Sequence, residues 1–144
     1  MERRIREEQG DLFVLDTTHS LAHCVSVDLA MSKGIAKGFR DKYRQLAELR
    51  AQHPEIGSVC YVPSTPGHYA FYLVTKAKYF HKPTYESLQS SLQALKTLCV
   101  DLQVRQLAVP RLGCGLDKLN WERVRDMLGT VFADTAVEIT VRSI

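Results

Sequence analysis

Short apolar runs alternate with longer amphipathic stretches along most of the chain. Apolar runs bounded by turn-forming residues are typical of strands, whereas apolar residues repeating every three or four positions are typical of helices. Pro66 and Gly67 separate two of the runs and predict a hairpin there. Strands are predicted, with a weaker one near Ile5, over 20–27, 57–64, 69–76, 105–112 and 137–144.

Three amphipathic stretches predict helices. The first covers 34–52, and a break in its middle is left open; the second starts at Pro83 or Thr84; the third covers 120–135, with Asn120 as the N-cap. This order of strands and helices predicts an α/β fold in which helices cover a mixed sheet. The length of 144 residues predicts one domain over 1–144.

Charge and cysteine content exclude several classes of function. The net charge is +3, but no block of Lys or Arg exceeds two residues, which argues against non-specific binding of nucleic acid through a basic patch. Cys24, Cys60, Cys99 and Cys114 lack C-x-x-C spacing and are predicted to be free thiols of a reducing compartment. No apolar run approaches about 18 residues, and no signal-peptide core is present. We therefore expect a monomer without a membrane partner, in the nucleus, the cytoplasm or both.

The stretch "PRLGCGLDKLNW" places two glycines between an apolar run and an amphipathic one. Gly113 and Gly115 allow positive φ, so successive backbone N–H groups can point into one concavity and bind an anion. A helix N-terminus adds a favourable dipole, and Gly34 with Ile35 opens another predicted helix. Both glycine segments are also compatible with an ordinary turn and a simple helix start, so the residues alone leave phosphate binding open.

Three charged residues lie where strands end or helices begin. Lys76 ends an apolar strand: its ammonium either reaches water or, if it is desolvated in a pocket, its pKa falls and the amine becomes a nucleophile. Asp117 is a general acid/base candidate or a carboxylate that favours a helix start. Asp11 can accept a hydrogen bond from an adenine amine or satisfy its own turn. His23 is predicted to be a hydrogen-bonded interior histidine, and no catalytic-triad, zinc-ligand or P-loop spacing is present.

The motifs "GDLF", "SLAHCVS", "M-x-x-GIA", "LVTK…HKPTYESLQ", "PRLGCGLD" and "ITVRSI" together resemble the macrodomain family. Within it they are similar to the branch of terminal ADP-ribose protein glycohydrolases and O-acetyl-ADP-ribose deacetylases. The resemblance implies a three-layer α/β/α sandwich with a mixed central sheet that binds ADP-ribose across the crest of the sheet. It implies no metal and no redox cofactor.

The resemblance also implies roles for individual residues. Asp11 and Leu12 would contact adenine, Ile144 would close that side, and Ser26 would line the distal side. Lys76 would attack the anomeric C1″ of the distal ribose and form a lysyl-ADP-ribose, with Asp117 assisting. The loop that binds the pyrophosphate and the distal ribose would comprise Arg111, Leu112, Gly113, Cys114, Gly115, Leu116 and Asp117.

Three functions follow from the resemblance. The first is a hydrolase that removes ADP-ribose from glutamate side chains and also deacylates O-acetyl-ADP-ribose, with ADP-ribosylated proteins as partners. The second is a reader that binds ADP-ribose without turnover. The third is a hydrolase that acts on ADP-ribosylated nucleic acid. Lys76 and Asp117 distinguish enzyme from reader, because binding alone requires neither.

Overall fold

The computed structural model describes residues 5–31, 34–114 and 117–143. Ser32, Lys33, Gly115, Leu116 and Ile144 therefore lie outside the described residues. A short 3-10 helix, Leu12–Leu15, follows the first strand and was not predicted from the sequence. The strands and α-helices, in chain order, are β1 (Ile5–Gln9), β2 (Ser20–Ser26), α1 (Gly34–Tyr43), α2 (Leu46–Ala51), β3 (Val59–Pro63), β4 (Tyr69–Lys76), α3 (Tyr85–Asp101), β5 (Gln106–Val109), α4 (Trp121–Val131) and β6 (Glu138–Ser143).

The six strands form one mixed sheet in the order β1-β6-β5-β2-β4-β3. Five strands run parallel to one another, and β3 pairs antiparallel with β4 as the predicted hairpin. The carboxyl ends of the five parallel strands therefore meet at one edge of the sheet. At that edge Ser26 of β2 lies beside Lys76 of β4, after a shift in the register.

Both faces of the sheet are buried under helices. One core packs the sheet against α3 and α4, and a second packs it against the 3-10 helix, α1 and α2. The sequence of β2 is almost continuously apolar because its side chains enter both cores. Leu21 and Val25 lie in the second core, and Ala22 lies in the first. The predicted α/β/α sandwich with a mixed central sheet is confirmed.

Most element boundaries follow the predicted ones. The break that the sequence left open in the first predicted helix is present, because Arg44 adopts a left-handed φ of 49° between α1 and α2. Strand β5 ends at Val109, so its predicted extension to residue 112 is wrong. Pro110 has no N–H to donate to a neighbouring strand, and the chain then turns, with Cys114 N donating to the Arg111 carbonyl at 3.1 Å.

Side-chain hydroxyls of α3 hold the carboxyl end of β4 in place. Thr84 caps the helix through a reciprocal capping box with Ser87, and Ser87 Oγ also donates to the Thr75 carbonyl at 2.7 Å. One turn later Ser91 Oγ donates to the Val74 carbonyl at 3.1 Å. Because these bonds satisfy backbone groups next to Lys76, they fix the position of that lysine relative to the helix layer.

His23 is interior, but the predicted hydrogen bonding is wrong. The residue is fully buried, and neither ring nitrogen has a hydrogen-bond partner among the described residues. The ring stacks on Phe39 with centroids 3.7 Å apart and meets the edge of Tyr72 at 4.9 Å. Aromatic packing therefore replaces polar contacts at this position of β2.

No helix in the described ranges is both long and apolar enough to cross a membrane.

Candidate functional site

A cavity of about 1030 Å³ opens at the edge of the sheet where the parallel strands end. Its volume lies at the upper end of the usual range for small-molecule sites. Gly115, Leu116 and Ile144, which the resemblance also assigned to the ligand, lie outside the described residues. The other predicted site residues all line this cavity: Asp11, Leu12, Ser26, Gly34, Ile35, Lys76, Arg111, Leu112, Gly113, Cys114 and Asp117.

Lys76 and Asp117 meet inside the cavity, although 41 positions separate them in the sequence. Lys76 Nζ donates to Asp117 Oδ1 at 2.6 Å, and the two side chains are only 12% and 16% exposed. Lys76 is held by the end of β4, and Asp117 precedes Lys118, whose φ of 63° is left-handed. The neighbouring carboxylate and amine can exchange a proton, which is the arrangement that acid/base or nucleophilic chemistry requires.

The glycine turn after β5 depends on Gly113. Its φ is +71°, and a Cβ at this position would lie 2.7 Å from Leu119 Cδ1. The Gly113 carbonyl accepts a hydrogen bond from Leu119 N at 2.8 Å, which closes the turn before α4. Arg111 lies over the ring of Trp121, 5.8 Å from its centroid, so the first residue of the turn is also held.

The opposite end of the cavity is formed by Asp11. Its Oδ1 accepts a hydrogen bond from Phe13 N at 2.9 Å and caps the 3-10 helix, as the turn interpretation predicts. Arg142 Nη1 donates to the Asp11 carbonyl at 3.0 Å while Arg142 Nε donates to Glu8 at 2.7 Å. The Asp11 side chain is exposed and also lines the cavity, so both interpretations of this residue remain compatible with its position.

Asp28 joins the two loops that flank Lys76. Its carboxylate accepts hydrogen bonds from the Ser26 hydroxyl, from Ala30 N at 3.3 Å and from Tyr79 N at 3.2 Å. Burial opposes ionisation of Asp28, but these hydrogen bonds and the nearby charge of Lys78 outweigh it and lower the pKa of the carboxyl. Asp28 therefore stays ionised and ties the loop after β2 to the loop after β4.

Two cysteines line the cavity but are not activated as nucleophiles. Burial raises the pKa of Cys24 to about 12 and that of Cys114 to about 11. A thiol with such a pKa is almost entirely protonated near neutral pH, and the thiolate is the nucleophilic form. In the described ranges no group of three or more His, Cys, Asp or Glu side chains could hold a metal ion. Lys76 and Asp117 are the pair best placed for chemistry.

Several cavity residues were not predicted as site residues. Arg142 supports the Asp11 loop from β6, and Tyr79 and Phe80 reach the cavity from the loop after β4. The only sequence signal for these residues was their position in or beside the motifs of the family resemblance. Arg142 lies in "ITVRSI", and Tyr79 and Phe80 lie between "LVTK" and "HKPTYE". Which loop residues face a cavity depends on long-range contacts that local patterns do not encode.

Comparisons with known proteins agree with the family resemblance and with the observed fold. The Macro domain family model matches residues 16–128. The human ADP-ribose glycohydrolase OARD1 is 47% identical over 138 residues, which is 96% of this chain and 90% of the human protein. The bovine ADP-ribose glycohydrolase OARD1 is 45% identical over the same shares. Among solved structures, the macrodomain of Mycobacterium tuberculosis DarG superposes with a TM-score of 0.87 at 25% identity, covering 97% of each chain.

Proposed function

Because the chain belongs to the macrodomain family, we propose that it is an ADP-ribose glycohydrolase that frees ADP-ribose from modified glutamate side chains. Similarity to a glycohydrolase along 96% of the chain supports the hydrolase class. The single observation that carries the catalytic part is the Lys76–Asp117 pair, 2.6 Å apart and mostly shielded from water inside the cavity. A protein that only binds ADP-ribose has no need of such a pair.

The ligand would lie along the edge of the sheet, with its adenine near Asp11 and its distal ribose near Lys76. Gly113 of the glycine turn, and Gly34 with Ile35 at the start of α1, also line the cavity and would form its section between these ends. Backbone N–H groups at a helix start and in a glycine-containing turn attract anions, so this middle section suits a pyrophosphate.

The reaction would begin with a proton transfer from Lys76 to Asp117. The resulting amine attacks C1″ of the distal ribose: a bond forms between Nζ and C1″, and the bond between C1″ and the ester oxygen breaks. The glutamate leaves as a carboxylate that takes the electron pair of the broken bond. Arginine could not replace the lysine, because a guanidinium does not lose its proton.

Release of ADP-ribose would use the same two side chains in the opposite sense. Asp117 gives up the proton to the departing amine, and a water molecule attacks C1″ as the bond to Nζ breaks. The water supplies the new hydroxyl of ADP-ribose, and its remaining proton passes to solvent, which leaves Lys76 as an ammonium and Asp117 as a carboxylate. Both residues are thus restored, and no further reactant is consumed. The same cavity would accept O-acetyl-ADP-ribose, so we include its deacylation in the proposal.

The decisive experiment uses a peptide that carries ADP-ribose on one glutamate. Release of free ADP-ribose by the wild type is measured by chromatography, and binding of ADP-ribose is measured in parallel by calorimetry. We expect both release and binding. Binding without release would identify a reader. Release only from an ADP-ribosylated oligonucleotide would replace the proposal with the nucleic-acid hydrolase.

A substitution at Gly38 tests the adenine end of the proposed site. A Cβ on this residue of α1 would lie 2.7 Å from Cε2 of Phe13, whose ring lines the cavity. Gly38→Ala should therefore displace the ring and raise the Kd for ADP-ribose about tenfold, an overpacking cost of about 1.4 kcal/mol. Calorimetric titration with ADP-ribose measures the change.

Gly129 of α4 provides the matched control. A Cβ there would meet its nearest neighbour, Ile5 Cδ1, at an ordinary 3.7 Å. Gly129→Ala should stabilise the fold by about 1 kcal/mol through helix propensity and leave the Kd unchanged. Equal Kd values for Gly38→Ala and Gly129→Ala would contradict an adenine site beside Phe13.

A further inference from the structure

Two neighbouring aromatic side chains project from the loop between β4 and α3. Tyr79 is 55% exposed and Phe80 is 64% exposed, and their rings meet edge to face with centroids 5.3 Å apart. His81 continues the contact, 4.8 Å from the ring of Phe80. We call these three residues the aromatic ridge. Large rings exposed next to one another are uncommon on a protein surface and indicate a surface that binds something.

The aromatic ridge is held in place rather than loosely attached. Asp28 accepts the hydrogen bond of Tyr79 N at 3.2 Å, and Asp28 N donates to the Ala77 carbonyl at 3.3 Å. His81 N donates to the Lys78 carbonyl at 2.9 Å, which closes a turn across the ridge. Because the backbone is already ordered, a partner that packs on the rings loses little conformational entropy.

The ridge lines the same cavity as Lys76, which lies only three residues before Tyr79. Asp11 lies at the other side of that cavity, after the edge strand β1, whereas Lys76 ends β4, the fifth strand across the sheet. If ADP-ribose extends from Asp11 to Lys76, the bond that breaks lies at the Lys76 end. The group attached to ADP-ribose must then leave the cavity past the aromatic ridge.

We propose that Tyr79 and Phe80 form a subsite for the polypeptide segment that flanks the modified glutamate, and so select peptide carriers over small acyl groups. The inference rests on the proposed function. It concerns the side of the site that holds the leaving glutamate and the polypeptide attached to it. Aromatic rings supply much of the binding energy where apolar side chains and backbone pack on them.

Charge favours a polypeptide over a nucleic acid as the carrier. Binding of nucleic acid depends on cations that neutralise successive phosphates. Lys78, which precedes the ridge, lies close enough to Asp28 to interact with its charge, and the net charge of the chain is only +3. The rings are thus the dominant feature of the ridge, and they match the apolar part of a peptide.

The test compares two substrates on one variant, Tyr79→Ala/Phe80→Ala. The first substrate is a peptide of about ten residues with ADP-ribose on its central glutamate and apolar flanking residues. The second is O-acetyl-ADP-ribose, whose leaving group is too small to reach the ridge. We expect kcat/KM to fall about tenfold on the peptide and by no more than about twofold on the acetyl ester.

A control variant removes exposed apolar surface elsewhere. Ile56 and Val100 are 52% and 56% exposed and do not line the cavity. Ile56→Ala/Val100→Ala should leave kcat/KM unchanged on both substrates, and the thermal unfolding midpoints of both variants are measured alongside.

Each other outcome overturns the inference in an identifiable way. Equal losses of kcat/KM on both substrates would make the ridge part of the catalytic site. No loss on either substrate would show that the ridge does not bind the carrier. A loss confined to an ADP-ribosylated oligonucleotide would assign it to nucleic acid. If the wild type turns over neither the peptide nor the ester, the proposed function itself fails, and the subsite with it.

Discussion

Lys76→Arg should abolish release of ADP-ribose while the protein still binds it. Loss of a nucleophile lowers kcat by on the order of 10³-fold or more, and a guanidinium stays protonated and cannot form the bond to C1″. The charge is retained, so Asp117 keeps a cationic partner and the buried side of the cavity is not left with an unpaired carboxylate. We expect the Kd for ADP-ribose to change by less than about fivefold. Release assays and calorimetric titration on the same preparation measure both quantities.

Lys78→Arg is the matched control, because Lys78 is an exposed lysine only two residues after Lys76, in the loop that follows β4. It should release ADP-ribose at the wild-type rate. The covalent route makes a further demand: acid-quenched wild type should carry one ADP-ribosyl group by intact mass, and Lys76→Arg none. Substantial turnover by Lys76→Arg would rule out the lysyl intermediate and leave Lys76 only an electrostatic role.

Much of the fold was predictable because its signals are local. Strand β4 is buried on both faces, so it appears in the sequence as a continuous apolar run, "YAFYLV". Thr84 and Asn120 are capping residues whose side chains accept the expected backbone hydrogen bonds from the third residue of each helix. The 3-10 helix Leu12–Leu15 was missed because a single apolar turn has no period to detect.

The candidate site, too, was predictable in some features and not in others. Parallel strands end at one edge, so Ser26, Lys76 and the turn after β5 were expected to converge, and they line one cavity. Asp117 was predicted as an acid/base candidate to match Lys76, but their direct hydrogen bond was not predictable, because the distance between residues 41 positions apart depends on the whole fold. The inward or outward direction of Tyr79, Phe80 and Arg142 was not predictable for the same reason.

His23 should make the protein sensitive to acid well above the pH at which carboxylates titrate. Burial lowers the pKa of its imidazole to about 3, although the Phe71 backbone acts in the opposite direction. In the unfolded chain the pKa returns to about 6.5. Between these values the unfolded chain binds a proton that the folded protein does not. Stability is therefore fully present above pH 6.5 and is lost progressively as the pH falls towards 3.

The variant His23→Phe keeps a ring against Phe39 and removes the titrating group. At pH 7.5 it should be more stable than the wild type by about 1–2 kcal/mol, because two unpaired buried ring nitrogens disappear. Between pH 6.5 and 5.0 the free energy of unfolding of the wild type should fall by about 2 kcal/mol more than that of the variant. Urea unfolding at each pH measures both differences.

The comparison isolates His23 from the other titrating groups. Burial also lowers the pKa of His19, but that contribution is common to both proteins and cancels in the difference. His23→Leu, which lacks the ring, separates titration from stacking: its stability should change with pH in the same way as that of His23→Phe, even if its stability at pH 7.5 is lower. Parallel curves for the wild type and both variants would mean that the imidazole gains a proton in the folded state, and so has a polar partner that its surroundings of Phe39 and Tyr72 do not provide.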